Sequence, residues 1–235
     1  MNQSFPTLKD FSVALAMKTD AIEIVKQPLY DFQVYPTAGI AQLTFFQNQV
    51  GTGLSASPGN ANAVKQLTDT NMQQQGQLPA PQAFWINSIE CDIQPGSSGT
   101  ANTFAIQIPS AFAAAAAAAV QAGEHDLNAL YLSGSLTLNI SNKNYYQEGP
   151  LCRFPTRSDF RLDTALATTS ATVGEIAKAK LNCNGEKCAI VPGIGIMTSQ
   201  AFNVQLNWPA VVATPSTFNA RIGVIMRGWL FRAVQ

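Results

Sequence analysis

Short runs in which apolar and polar residues alternate, cut at close intervals by Gly and Pro, recur along this chain. Leu136-Thr-Leu-Asn-Ile140 is the clearest. With Leu130 and Leu132 it puts five aliphatic side chains on one face. A period of two is the mark of a half-buried strand, since successive side chains leave opposite faces of the pleat. Phe84–Gln94 repeats the pattern, with Ile89, Cys91 and Ile93 on one side and Glu90, Asp92 and Gln94 on the other, predicted to face solvent. Eight main strands are predicted: 38–47, 84–94, 103–108, 130–140, 145–154, 189–197, 202–207 and 219–234. Gly149-Pro150 bends or ends the fifth.

Eight strands with scarcely any helix predict an all-β fold, a single jelly-roll β-sandwich of two four-stranded sheets. One short Ala-rich helix is expected after Ser110, an N-cap residue, and before Gly123. Loops 48–82 and 155–188 are long enough to carry contacts, and the first has room for a short helix around residues 61–67. Residues 1–35 are expected to be an N-terminal arm and 36–235 the jelly-roll domain.

Charge is scarce. The chain has 14 basic and 14 acidic side chains in 235 residues, 12%, about half the roughly 25% usual for a soluble domain. Its longest apolar run, Ala111–Val120, is ten residues, half what a membrane helix needs. A weakly charged surface favours association. The composition therefore suits a chain that other copies cover. The first 35 residues carry three lysines against four carboxylates, so no basic arm is available to neutralise phosphates, and sequence-specific nucleic-acid binding is not expected. The N-terminus also lacks the charged-then-apolar layout of a signal peptide.

Catalytic motifs are missing. The single histidine, His125, reads as a solvated turn residue. HExxH, CxxC and G-x-S-x-G do not occur. A cupin-type enzyme needs a His/Glu metal cluster that one histidine does not supply. Catalytic residues, cofactor-binding residues and metal ligands are all expected to be none. Cys91 and Cys152 read as buried small hydrophobes. Cys183 and Cys188 bracket Asn-Gly-Glu-Lys, and a hairpin there sets them within disulfide reach. Free thiols come first for this pair, a disulfide second and zinc a distant third. Asp159 and Asp163 among Arg153, Arg157 and Arg161 read as a salt-bridge cluster or a subunit contact. Trp85, Trp208 and Trp229 fall in strands, and Tyr145-Tyr146 is the best candidate for a sugar-stacking surface.

Three stretches together resemble the jelly-roll coat proteins of tailless icosahedral bacteriophages. They are Asp69–Ile89, with Gly-Gln-Leu-Pro ahead of Phe84-Trp-Ile; Ser133–Leu151, a strand running into Lys143-Asn-Tyr and Gly149-Pro-Leu; and Phe202–Trp208 followed by Arg221–Arg232. They cover about a quarter of the chain. The resemblance implies a non-catalytic protein that builds a shell in the host cytoplasm and resides in the virion. It implies copies of itself and other virion proteins as partners, and the missing basic arm fits a shell lined by a membrane or by other proteins. Phe5, Leu8 and Phe11 in the arm, and Arg153, Arg157 and Arg161, are the expected inter-subunit contacts. The alternative is a carbohydrate-binding or adhesive β-sandwich on a cell or virion surface.

Overall fold

The computed structural model describes residues 12, 18, 21–57, 63–98, 129–155, 164–170, 173–179, 188–213 and 219–234, and at 95–98, 164–170 and 173–179 the backbone alone. Among the described residues there are eleven strands: β1 Ile22–Lys26, β2 Leu29–Tyr35, β3 Gln42–Phe45, β4 Gln82–Ser98, β5 Ser135–Ile140, β6 Lys143–Glu148, β7 Thr164–Ser170, β8 Val173–Ala179, β9 Cys188–Ile196, β10 Phe202–Asn207 and β11 Asn219–Ala233. All pairings among these strands are antiparallel.

The pairing order identifies the architecture. One sheet runs β2-β11-β4-β9, with β1 continuing the β2 edge along β11; the other runs β3-β10-β5-β6. The chain changes sheet at each connection between these eight strands except the hairpin from β5 to β6. That alternation is the topology of a jelly roll. β11 is the keystone. Its residues 220–226 pair with β2, its residues 229–233 with β1, and its whole length with β4.

The core lies between the sheets. Phe84, Ile86, Ile89, Cys91 and Ile93 from β4 meet Leu136, Leu138 and Ile140 from β5, and Ile222, Val224 and Met226 from β11 face Val204 and Leu206 from β10. Period-two apolar runs on both inner faces make this possible. Burial of such side chains contributes about 1.5–3 kcal/mol each before entropy is counted. Asn87 is the extra residue of a bulge in β4, opposite Arg227–Gly228, and it shifts the alternation by one position. Gly228 is required there, because a Cβ would collide with the Trp85 carbonyl oxygen.

Several expectations are corrected. The arm does not extend to residue 35, since 22–35 form two strands that β11 needs as partners. Residues 129–133 are helical rather than the start of β5. There the Leu130 carbonyl accepts from Trp208 Nε1 at 3.0 Å, and Gly134 fits against Leu151 and Trp208. Beyond Gly149-Pro150 the fifth run becomes a 3-10 turn, Leu151–Arg153, not strand. Val64 bridges Leu54 in extended pairing, so the described part of 61–67 is not helix. The connection 155–188 carries the β7–β8 hairpin as a sheet of its own. Trp208 lies one residue past β10. The predicted strand 103–108, the Ala-rich helix and His125 lie outside the described residues.

Candidate functional site

The described part of the connection from β3 to β4, residues 46–57 and 63–81, folds back along β2 and is braced by buried charge. Asp31 sits on β2 opposite Val224, so its side chain faces the interior. Asp31 Oδ1 lies 2.5 Å from Lys65 Nζ, and neither side chain is exposed at all. Lys65 also donates to the Phe32 carbonyl at 2.7 Å. Asp31 Oδ2 accepts the Phe46 N–H at 2.7 Å and a Gln33 amide N–H at 3.2 Å. Taking an ion out of water costs several kcal/mol, and only close pairing with full hydrogen bonding offsets it. Burial pushes the Asp31 carboxyl above its ordinary value; Lys65 and the Phe46 and Gln33 donors pull against that rise without cancelling it. Phe46, held by this bond and packed on Phe202, takes a left-handed φ of 66°, a strain of about 1–3 kcal/mol for a non-glycine residue.

A second carboxylate organises the loop itself. Asp69 accepts from the Ser55 and Ser57 hydroxyls at 2.7 Å each, from the Ala56 N–H at 3.1 Å and from the Gln66 N–H at 3.0 Å. Burial raises its pKa, but the Ser55, Ser57 and Gln66 donors and the nearby Arg221 outweigh burial and leave the carboxyl below its ordinary value. Arg221 stacks over the Phe32 ring at 3.6 Å and donates to the Thr68 carbonyl at 2.5 Å. The segment 69–71 then serves as a partner for the outer side of β2. Phe32 N–H donates to the Asp69 carbonyl at 2.7 Å, and Tyr30 N–H to Asn71 Oδ1 at 3.0 Å. An edge strand is thereby capped against pairing with a stray chain.

This bracing holds up an apolar tip. Leu54 and Val64 are bridge partners, 65% and 47% exposed, and Leu67 is 66% exposed. Val50 is also exposed, and the Gly51 N–H beside it donates to the Lys65 carbonyl. Scattered exposed aliphatics are ordinary on a monomer, but exposed bridge partners such as Leu54 and Val64, on a loop tied down by buried charge, have the character of a contact surface.

The other expected site residues fare differently. Arg153 is 62% exposed and pairs with Glu148 at 2.8 Å. Phe5, Leu8, Phe11, Arg157, Arg161 and Cys183 lie outside the described residues, so the Cys183–Cys188 pairing does too. Cys188 Sγ is 3.7 Å from the Tyr146 hydroxyl, which also hydrogen-bonds Glu148. Cys152 is exposed, not buried. Tyr145 is exposed while Tyr146 packs edge-on against Phe154, so the two rings do not form one stacking platform. Glu90 and Asp92 do not face solvent as expected. Glu90 is fully buried in a two-pronged ion pair with Arg227, at 2.5 and 3.0 Å. Burial raises the Asp92 carboxyl, which Gln94 holds at 2.7 Å. The reason is the neighbouring strand: β11 supplies Arg221 and Arg227 to this face.

Asp31, Lys65, Asp69 and Arg221 were not singled out by sequence reasoning, yet a signal was there. Between Asp31 and Glu90 the chain holds two charged residues, Lys65 and Asp69. Both are buried. Among the described residues no group of three or more His, Cys, Asp or Glu side chains is placed to hold a metal ion. Comparison with known proteins finds no matching family model, no matching curated protein and no matching solved structure.

Proposed function

We propose that this chain is a capsid protein, a structural subunit that self-assembles through copies of its own jelly roll into an icosahedral shell of the kind built by tailless bacteriophages. The observation that carries the reading is the loop 46–81. It is braced from inside by the Asp31–Lys65 pair and the Asp69 network, and it presents Leu54, Val64 and Leu67 to solvent. A contact surface that is ordered before its partner arrives loses less entropy on association. Exposed apolar area contributes about 25 cal/mol per Å² when covered, and a closed symmetric assembly repeats each contact. The low charge of the chain supports the same reading, since little repulsion opposes close approach.

In this reading the protein works in the virion after assembly in the host cytoplasm. Its partners are its own copies and, beneath the shell, a membrane or other virion proteins. The test is electron microscopy with size-exclusion chromatography on the purified chain over a range of salt and concentration. Rings or shells are expected. They should be lost in a Leu54→Ser, Leu67→Ser variant that stays folded. A chain that remains monomeric under every condition, and whose tryptophan emission is quenched saturably by a sugar, would move the assignment to a carbohydrate-binding sandwich.

A further inference from the structure

The Asp31–Lys65 pair holds more than bracing requires. Neither side chain has exposed surface, and Oδ1 and Nζ are 2.5 Å apart. Oδ1 is bonded to Cγ, so the lysine nitrogen stands near the separation of about 3–3.5 Å from which a nucleophile attacks an acyl carbon. The other oxygen, Oδ2, accepts from the Phe46 N–H at 2.7 Å and from the Gln33 amide at 3.2 Å. Two fixed donors on the oxygen that stays with the carbon are what a tetrahedral oxyanion needs. Lys65 Nζ is aimed by its bond to the Phe32 carbonyl at 2.7 Å. A dry interior disfavours two ions and favours the neutral acid and amine reached by passing one proton from nitrogen to oxygen. Burial, which pushes the Asp31 carboxyl above its ordinary value, acts in the same direction. Glu90 and Asp69 lack this option. Their cationic neighbours are Arg227 and Arg221, and a guanidinium does not give up its proton.

We propose that Lys65 and Asp31 condense within the folded chain, with no added reagent, into an isopeptide bond that ties β2 to the loop following β3. One proton first passes from the Lys65 ammonium to Asp31 Oδ1. The amine lone pair attacks Cγ, and the carbonyl π pair moves onto Oδ2, where the Phe46 N–H and the Gln33 amide hold it. The nitrogen then gives a second proton to Oδ1, which leaves as water while Oδ2 regains its double bond. An Nζ–Cγ bond forms, the Cγ–Oδ1 bond breaks, one water departs and nothing is oxidised or reduced. Bulk water opposes amide formation, but groups fixed in this way act at effective molarities of about 10⁵–10⁸ M, above the concentration of water itself. The product closes a ring between residues 34 apart in sequence. Like a disulfide, the ring restricts the unfolded chain, yet no thiol reductant opens it. Leu54, Val64 and Leu67 are then carried on a covalently closed mount. One chain supplies every group, so the reaction does not depend on shell assembly.

The test is the intact mass of the full chain, taken under denaturing conditions after the folded protein has stood at neutral pH, followed by peptide mapping. The expected mass is one water below that of the sequence. Fragmentation should place the loss in a branched peptide joining Asp31 to Lys65, and a lysine-specific protease should not cut after Lys65. Asp31→Asn should reach the same product by losing ammonia. Asp31→Ala should keep the full mass of its sequence; should that variant fail to fold, Lys65→Arg keeps the cation, does not condense and serves as the same control. A native chain that is folded by circular dichroism and retains its full mass would overturn the proposal, as would a water loss mapped to any other pair. Shell formation is scored separately by microscopy, so failure of one result leaves the other standing.

Discussion

Two regions of this molecule are held together by opposite means. Between the sheets, Phe84, Ile86, Leu138, Val204 and Val224 fill the space with apolar volume and need no partners beyond contact. Along the seam beside β2, the loop 46–81 is fixed by Asp31, Lys65 and Asp69, each fully buried and each meeting several hydrogen-bond partners. The first kind of packing tolerates exchange of one hydrophobe for another of similar volume. The second does not, because a buried charge that loses its partner keeps its desolvation cost. The core therefore sets that the chain folds, and the seam sets where its longest described loop points.

The largest effects should expose that difference. Phe84→Ala should lower stability by about 3–5 kcal/mol through the cavity it leaves. Lys65→Ala should cost about the same, 3–5 kcal/mol, by stranding Asp31, although the seam holds far less apolar volume. Urea midpoints measure both. Adding Asp31→Leu to Lys65→Met should recover more than half of the single-site loss, whereas no second substitution beside Phe84→Ala would do so without refilling the volume. If the double variant is no better than Lys65→Met alone, the seam is not governed by charge pairing.

Gly228→Ala comes next. The added methyl meets the Trp85 carbonyl at the β4 bulge, and the expected cost is about 1–3 kcal/mol from strand displacement, visible as a lower Tm.

Asp69→Asn should cost about 1–3 kcal/mol, the usual worth of hydrogen bonds to a charged acceptor, and should leave a pH signature. The Asp69 carboxyl titrates below its ordinary 3.8 in the folded chain. Its contribution is thus complete above that value and is lost as pH falls through the depressed one. Asp31 has the opposite sign: its raised pKa means that its ionised form is penalised as pH rises past 3.8. As pH falls the two groups act against each other, so Asp69 is isolated by comparison: loop proteolysis should rise less steeply with falling pH in Asp69→Asn than in the native chain.

The smallest stability effect belongs to the tip. Leu54→Ser and Leu67→Ser should each change the unfolding free energy by less than about 0.5 kcal/mol, while removing association in a sedimentation experiment. A large destabilisation there would mean that the tip is part of the seam and not a surface mounted on it.

The apolar half of this contrast could be read from the sequence. Period-two runs located β4, β9, β10 and β11 closely, because each buries one inner face and shows it in its pattern. β2 escaped notice because Asp31 interrupts its apolar side, and that interruption is the anchor of the seam. Tyr145 and Tyr146 drew attention by being adjacent, yet strand geometry sends neighbours to opposite faces. The polar half is non-local. Lys65 and Asp31 are 34 residues apart, and Arg227 and Glu90 are 137 apart. No local period reports such pairs. What does report them is scarcity: a charge kept in a stretch otherwise stripped of charge is there to be matched.

The position of β11 in the chain has its own consequence during synthesis. Glu23 and Arg232, joined across β1 and β11, are 209 residues apart, so translation at about 5–20 residues per second leaves the first strands waiting on the order of ten seconds or more for their central partner. Until then β1, β2 and β4 have no common neighbour and the sandwich stays open. The nascent polypeptide thus carries unpaired strand edges, the kind that pair with stray chains, until β11 emerges from the ribosome.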